Sequence, residues 1–307
     1  MTNTILITGA SGFIGHYLCG ALSSAGRLIG LDITDSQSPF LDAFHKMDVR
    51  DEAGIRRLFH DYHFSYVVHA AANKNLVQCE ANVNDAYSVN VEASLMLHEM
   101  CREQRARFVF LSSDIVFDGR SQLSNETCSL NPINNYGKWK TIVENELIKD
   151  SSSAICRTAL VFGALPPSHV SIFESVRDSS VLVVQSYIIQ HLRYRLSRQE
   201  PIHLPANEFC SPTSGLLIGR QLRRIVDTGI SGIFHCCGGE RISRYEFGKR
   251  IAASLCLDTT QIDPSSSDDP LRPRDVSMSV CSSESRIQMK FETINEMLTT
   301  VLSSEKD

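Results

Sequence analysis

Features that would point to a membrane, a nucleic acid or a metal are missing from this chain of 307 residues. No run approaches the about 18 apolar residues that a membrane-spanning helix needs. The chain carries 30 Lys and Arg against 35 Asp and Glu, and this formal net charge of −5 argues against nucleic acid as the main partner. The 10 cysteines include no C-x-x-C pair and no zinc-like spacing, so we expect buried, reduced thiols and no metal site.

The first residues leave little room for a signal peptide, because Met1 to Thr4 lead straight into an apolar run at 5–7. Together with the cysteine pattern, this predicts a protein of the cytoplasm. The length supports one large domain or two lobes.

A glycine-rich turn follows that apolar run and opens a predicted helix at 13–25. Glycines let the backbone approach a pyrophosphate, and the N–H groups of a helix N-terminus favour its negative charge. The spacing is G-x-x-G-x-x-G rather than the usual G-x-G-x-x-G, so the turn alone is a hypothesis. The cofactor-binding residues predicted here are Gly9, Ser11, Gly12, Phe13, Ile14 and Gly15.

Further cofactor contacts are predicted where later strands end. Asp32 lies about twenty positions beyond the turn, where a carboxylate accepts the ribose hydroxyls of NAD, although a surface turn is the alternative. Residues 33–37 contain no Arg or Lys for a 2′-phosphate, so NAD(H) is favoured and NADP(H) is possible. A short strand at 46–51 would bring Asp48 and Val49 to the adenine. The small residues that end a strand at 66–72 would let the cofactor lie close to the backbone; they are Ala70, Ala71 and Ala72.

Strands and helices alternate along the first half of the chain. Besides the elements above, this rhythm includes predicted strands at 27–31, 108–111 and 154–162 and helices at 52–62, 84–105 and 136–149. It predicts the α/β class, with a Rossmann-type doubly wound parallel sheet and a smaller C-terminal substrate-binding lobe. We expect an NAD(P)-binding domain at 1–162 and the second lobe at 163–307, with a strand at 232–236 returning to the first. Predictions within the second lobe are an ambiguous apolar stretch at 181–184, a basic amphipathic segment at 186–198, a polar loop at 259–269, and helices at 215–227, 243–254 and 291–302.

Tyr136 and Lys140 are four residues apart on a predicted helix, so both side chains project from one face. An ammonium near a phenol lowers the phenol's pKa from about 10, as a general acid or base for carbonyl chemistry requires. Ser113, at the end of a strand, would hold the substrate oxygen. A Y-x-x-x-K pair alone is usually part of a surface helix. The combination with the glycine turn and Asp32 favours catalysis.

With these motifs in place, the chain resembles the extended short-chain dehydrogenase/reductase family over nearly its full length. Residues 111–119 look like the S-T/S-D-Y-V-F-D-G signature of dTDP-4-dehydrorhamnose reductases, which also occurs in the regulatory β subunit of methionine adenosyltransferase. Residues 211–213, 243–247 and 272–275 are similar to C-terminal segments of the same subfamily.

The resemblance implies an NAD(P)H-dependent reductase of a keto group, acting on a nucleotide-activated deoxysugar, and a homodimer formed through the helices at 84–105 and 136–149. It implies Tyr136 as the acid, Lys140 as its tuner and ribose anchor, and Ser113 as the holder of the substrate oxygen. Asn90 would bind near the cofactor and support the active-site helix and its water. Substrate contacts are expected from Lys74, Asp114, Arg272 and Arg274, the two arginines because guanidinium matches phosphate geometry.

Two departures from the signature leave other functions open. Ile115 stands where the subfamily usually has Tyr, and residues 73–75 replace its usual pattern after the alanines. The alternatives are a non-catalytic NAD(P)-binding regulatory subunit, an epimerase or dehydratase, and a reductase of a non-sugar ketone.

Overall fold

The computed structural model describes residues 3–36, 38–179 and 185–305, so the predicted apolar stretch at 181–184 lies outside the described residues. Its strands, in chain order, are β1 (Asn3–Thr8), β2 (Gly26–Asp32), β3 (Ala43–Lys46), β4 (Tyr66–His69), β5 (Arg107–Ser113), β6 (Ala154–Thr158), β7 (Val161–Phe162), β8 (Ile202–Pro205), β9 (Phe209–Cys210), β10 (Thr213–Ser214), β11 (Gly232–His235), β12 (Ile242–Ser243) and β13 (Ile262–Ser265). Seven of them form one parallel sheet in the order β11-β6-β5-β4-β1-β2-β3. The order reverses between β1 and β4, and in such sheets ligands bind at this switch point, beyond the carboxyl ends of the strands.

Helices cover both faces of the sheet. They are α1 (Phe13–Leu22), α2 (Glu52–Tyr62), α3 (Leu76–Ala81), α4 (Val83–Tyr87), α5 (Ala93–Gln104), α6 (Asn135–Leu147), α7 (Val170–Val176), α8 (Ile188–Leu196), α9 (Gly215–Thr228), α10 (Arg244–Ser254), α11 (Cys281–Ile287) and α12 (Ile294–Ser304). The core on one face is built from α1, α9 and α11, and the core on the other from α2, α5 and α6. The predicted Rossmann-type α/β fold is therefore confirmed.

The second lobe has small sheets and its own core. β7 pairs with β10 and β8 with β13, both parallel, while β9 and β12 are antiparallel. Apolar side chains of α8, α10 and α12 fill the space between these strands, among them Phe247 and Met297. β11 pairs with β6 at the edge of the main sheet, so residues 232–235 return to it. The domain division at residue 163 stays a prediction.

Several elements differ from the sequence-based expectation. The strand expected at 46–51 lies earlier, at Ala43–Lys46, because Asp51 instead caps α2 by accepting a hydrogen bond from the Gly54 N–H at 3.0 Å. The helix expected at 84–105 is interrupted by a π-helical turn, Ser88–Glu92. The strand expected at 154–162 is divided into β6 and β7, the loop expected at 259–269 contains β13, and α11 was not anticipated. None of the helices in the described ranges is long and apolar enough to cross a membrane.

Candidate active site

The glycine turn has the geometry that a pyrophosphate cradle needs. Gly9 has a φ of +72°, and a Cβ there would lie 2.7 Å from the backbone nitrogen of Ala71, so only glycine fits. A Cβ on Gly15 would collide with the Gly9 carbonyl, which lets α1 pack directly on the turn. Gly12 caps α1 without a side-chain oxygen. The first N–H groups of this helix, from Phe13 to Gly15, are therefore available to an anion.

Asp32 is held beside this turn. Its carboxylate accepts hydrogen bonds from the Ser11 N–H at 3.0 Å and the Thr34 N–H at 3.1 Å. Lys46 lies opposite Asp32 in the register of β2 and β3, and it pairs with Asp35 at 2.8 Å. The prediction considered only residues 33–37 and missed Lys46, because this cation lies at the end of the next strand.

The loop that follows β4 is fixed by a chain of hydrogen bonds. The Ala71 N–H donates to Thr8 Oγ1 at 3.3 Å, and Thr8 Oγ1 lies 2.7 Å from Nδ1 of His69. Nε2 of His69 lies 2.9 Å from Ser94 Oγ, which itself donates to the Asn90 carbonyl. Because the Ser94 hydroxyl proton is used in that bond, Ser94 Oγ accepts a hydrogen bond from His69, whose ring proton therefore lies on Nε2. Nδ1 of His69 then accepts from the Thr8 hydroxyl. Burial lowers the pKa of His69 to about 3, so this imidazole is neutral.

Asn90 holds this loop in place. Its Oδ1 accepts from the Asn73 N–H and its Nδ2 donates to the Asn73 carbonyl, both at 2.9 Å. The support of the active-site helix and its water by Asn90 stays a prediction. Lys74 follows directly; its side chain is exposed, yet surrounding protein lowers its pKa, as in a concave surface.

The predicted adenine contacts, Asp48 and Val49, lie in different surroundings. Arg50 pairs with Asp48 at 2.6 Å and with Asp85 at 2.7 Å, and this guanidinium lowers the pKa of Asp48. The Asp48 carboxylate is therefore engaged by its neighbour, while Val49 is buried.

α6 carries Tyr136 to the end of β5. Asn134 caps the start of this helix, and its side chain accepts from the Gly137 N–H at 2.8 Å. A Cβ on Gly137 would overlap the Ile115 carbonyl, so the first turn packs against the backbone just beyond β5. Ser113, the last residue of β5, donates from Oγ to Asp114 at 3.0 Å.

Lys140 does not lower the pKa of Tyr136 in this structure, contrary to the expectation. Its ammonium donates to the Leu111 carbonyl at 2.8 Å and lies 5.7 Å from the centre of the Tyr136 ring. Burial dominates instead: it raises the pKa of Tyr136, with Asp114 and Cys79 adding to the rise. Burial also lowers the pKa of Lys140 to about 7, against an opposing effect of Glu144.

The predicted substrate residues fall into two groups. Burial raises the pKa of Asp114 to about 7, opposed by the Ser113 hydrogen bond and by Arg244. Arg244, which pairs with Glu208 at 2.7 Å, also lies close enough to Arg272 to lower its pKa, after the larger effect of burial. Arg244 thus lies near both Asp114 and Arg272, and these three residues are named the charged cluster.

Arg274 is separate from that cluster. Its side chain is 44% exposed and contacts Asp268 at 3.2 Å, whereas that of Arg272 is 14% exposed. Arg244 is the member of the cluster that was not predicted as a site residue, although it lies inside the 243–247 segment.

His169 is another residue that was missed. It is buried and bridges two parts of the chain: Nε2 donates to the Ser11 carbonyl at 2.8 Å, and Nδ1 lies 2.9 Å from the Tyr187 hydroxyl. The second lobe therefore contacts the glycine turn. Within the described ranges, no group of His, Cys, Asp and Glu is arranged to hold a metal ion.

Comparison with known proteins gives this geometry a context. A methionine adenosyltransferase 2 subunit beta of Rattus norvegicus is 26% identical over 85% of this chain and 74% of its own length. A dTDP-4-keto-6-deoxy-D-glucose reductase of Streptomyces niveus is 27% identical over 89% of this chain and 88% of its own. Among solved structures, the dTDP-4-dehydrorhamnose reductase of Bacillus anthracis in complex with NADP has a TM-score of 0.83 at 19% identity, covering 99% of this chain and 100% of that one.

The solved structure shares the fold, and the predicted resemblance to both kinds of relative is confirmed. The model of the RmlD substrate binding domain matches residues 2–306. The match spans nearly all of the sequence, and the chain belongs to the RmlD substrate binding domain family.

Proposed function

We propose that this protein is an NAD(P)H-dependent reductase of a keto group, and that its substrate is a nucleotide-activated deoxysugar. The observation that carries the proposal is the position of Tyr136 at the carboxyl end of the sheet. The first turn of α6 packs against the Ile115 carbonyl just beyond β5, which ends at Ser113. A carbonyl that is being reduced needs a proton donor for its oxygen, and the Tyr136 phenol is a donor of this kind.

The residues around the glycine turn fit a nicotinamide dinucleotide. Gly9 leaves the space, the start of α1 offers N–H groups to the pyrophosphate, and Asp32 offers a ribose acceptor. NAD(P)H is the cofactor class of this fold, and a neighbour has been solved with NADP. NAD(H) is the preferred form in our proposal because Asp32 disfavours a 2′-phosphate and Asp35 neutralises Lys46.

The reaction assigns one role to each catalytic side chain. When bound, the reduced cofactor supplies the hydride for the carbonyl carbon. Ser113 would turn its hydroxyl from Asp114 to the carbonyl oxygen, and Tyr136 would give that oxygen its proton, which yields an alcohol. Lys140, buried beneath them, would hold the cofactor ribose with its ammonium.

The charged cluster supports a nucleotide sugar as substrate. Arg244 lies near both Arg272 and Asp114, and guanidinium groups suit a diphosphate. Arg274, which was also predicted to bind it, would have to leave Asp268 to take part. The relative from Streptomyces niveus is named for a keto-deoxysugar nucleotide.

The test is NADH oxidation against a panel of keto-sugar nucleotides. Tyr136→Phe should lower kcat about 10²–10⁴-fold, the usual contribution of a positioned proton donor. Tyr62→Phe is the control, since Tyr62 contacts His45 away from the site. If Tyr136→Phe stays within a few-fold of wild type, the mechanism is refuted.

A cofactor-binding regulatory subunit is the second candidate. It is supported by the likeness to methionine adenosyltransferase 2 subunit beta and by the altered loop around Lys74. No NADH oxidation across the panel, combined with copurification of a larger catalytic partner, would favour it. Stoichiometric consumption of NADH would instead exclude this candidate and an epimerase or dehydratase.

A homodimer in the cytoplasm completes the proposal. Ile142 and Ile148, on and just after α6, are 40% and 58% exposed, which suits pairing through α5 and α6. Light scattering of the purified chain would give its mass in solution. All ten cysteines are free, in keeping with a reducing compartment, and cell fractionation would test the location.

A further inference from the structure

A buried histidine of the second lobe contacts the backbone of the glycine turn. His169 is 3% exposed; its Nε2 donates to the Ser11 carbonyl at 2.8 Å, and its Nδ1 lies 2.9 Å from the Tyr187 hydroxyl. Burial raises the pKa of Tyr187 to about 12, so this hydroxyl keeps its proton and can donate to Nδ1. Both ring nitrogens of His169 therefore have a partner, and one partner is the turn itself.

The Ser11 carbonyl belongs to the peptide group that leads into α1. The N–H of the same peptide group, that of Gly12, donates to the Gly9 carbonyl at 3.0 Å. A peptide group is planar, so hydrogen bonds to both its oxygen and its nitrogen fix the orientation of the whole plane. Because α1 starts at the next residue, Phe13, this plane sets the direction in which the first N–H groups of the helix point.

The second lobe also contacts the side chains at the start of α1. The buried ring of Phe13 has its centre 6.1 Å from that of His169 and 5.6 Å from that of Tyr187. One turn further along α1, the Tyr17 hydroxyl donates to the Ala164 carbonyl at 2.8 Å. The start of the helix is thus held by the second lobe through its backbone and through two of its side chains.

The backbone that carries His169 has little freedom. Pro166 and Pro167 precede this residue by three and two positions, and a proline ring fixes φ. The His169 N–H donates to the Pro166 carbonyl at 2.8 Å, which closes a short 3₁₀ turn. The imidazole is therefore presented to the glycine turn from a stiff segment.

We propose that His169 is a positioning residue for the cofactor pyrophosphate, and that it acts from the second lobe by fixing the peptide group between Ser11 and Gly12. This rests on the proposed function, in which the glycine turn and α1 bind the pyrophosphate. The imidazole occupies the Ser11 carbonyl, so the N–H groups that begin α1 stay available to the anion. The pyrophosphate cradle is then built from both lobes, although its sequence motif lies in the first.

The experiment measures the dissociation constant of NADH by fluorescence and that of ADP-ribose by displacement of NADH. His169→Phe keeps an aromatic ring but loses both hydrogen bonds, so it should raise both dissociation constants about tenfold, as the loss of one hydrogen bond does. ADP-ribose should lose as much as NADH, because it has the same pyrophosphate and no nicotinamide. His169→Gln should recover most of the affinity, since its amide can donate to the Ser11 carbonyl.

His235→Phe is the matched control. His235 is also buried, and its Nδ1 donates to a backbone carbonyl, that of Ser279, at 2.8 Å. It lies in β11, four strands away from β1 in the main sheet. This variant should lose a comparable hydrogen bond and still bind both ligands as wild type does.

His169→Phe leaves the Tyr187 hydroxyl without its partner and can fail to fold. The double variant His169→Phe/Tyr187→Phe removes that hydroxyl and decides the question in that case. Weaker binding of both ligands that His169→Gln recovers, with His235→Phe unchanged, supports the inference. Wild-type affinity in the phenylalanine variant, a loss confined to NADH, a loss that glutamine does not recover, or a loss that His235→Phe shares overturns it.

The proposed function fails in a different way. If wild type binds NADH but oxidises none of it, the reductase proposal is refuted and the comparison of dissociation constants stays valid. A wild type that binds neither NADH nor NADPH overturns both.

Discussion

Replacing Arg157 with methionine should strongly destabilise the protein, because it leaves the Glu144 carboxylate in the core with its charge unbalanced by a partner. Both side chains of the pair are 2% exposed and their atoms are 2.7 Å apart. Breaking such a buried pair from one side costs about 3–5 kcal/mol. That is a large part of the about 5–15 kcal/mol by which most proteins are stable.

The chain offers an exposed pair of almost the same length for comparison. Arg102 and Glu99 are 2.8 Å apart, with side chains 58% and 55% exposed. Arg102→Met should change the free energy of unfolding by about 0.5 kcal/mol or less. Equilibrium unfolding in urea would measure all variants. The reasoning is refuted if Arg157→Met and Arg102→Met cost the same, or if adding Glu144→Gln to Arg157→Met recovers nothing.

Two further predictions concern the glycine turn and Asp114. Gly9→Ala should weaken NADH binding at least about tenfold, since a Cβ there would lie 2.7 Å from the Ala71 nitrogen at a φ of +72°. Gly20→Ala is the control: its Cβ would make an ordinary 3.5 Å contact, so this variant should bind NADH normally in the same titration. Burial raises the pKa of Asp114 to about 7, so folding favours its protonated form and the wild-type free energy of unfolding should fall as pH rises from about 4 to 7. Asp114→Asn should remove this loss, at most about 4 kcal/mol, and unfolding curves with parallel pH dependence in both proteins would contradict the argument.

The helices and strands that the sequence predicted well carry local signals. α2 begins after the capping Asp51 and ends where His63 adopts a left-handed conformation, and its predicted bounds match the structure. β3 was misplaced because it is an edge strand with no buried residue, which leaves no hydrophobic alternation to detect. The π-helical turn was missed because a change of hydrogen-bond register leaves no mark on composition.

In the candidate site, too, the sequence predicted local features but not those that depend on distant parts of the chain. Four-residue spacing was enough to put Tyr136 and Lys140 on one face of a helix. The sequence could not predict the direction of the Tyr136 pKa, since it depends on burial in the folded chain and on the charges of Asp114 and Cys79, which lie elsewhere in the sequence. His169 lies in a segment without a motif, so nothing in its surroundings predicted contact with the glycine turn.

The return of β11 to the main sheet has a consequence for how the chain folds during synthesis. The sheet has its last strand only when residue 235 has left the ribosome, some seventy residues after β7. Until then β6 has an open edge, and the face of the sheet that α9 covers lacks Ile218, Leu222 and Ile225. A fragment ending at residue 162 should therefore aggregate rather than behave as an independent cofactor-binding domain. The main sheet is thus completed only after residues 163–231 have been synthesised.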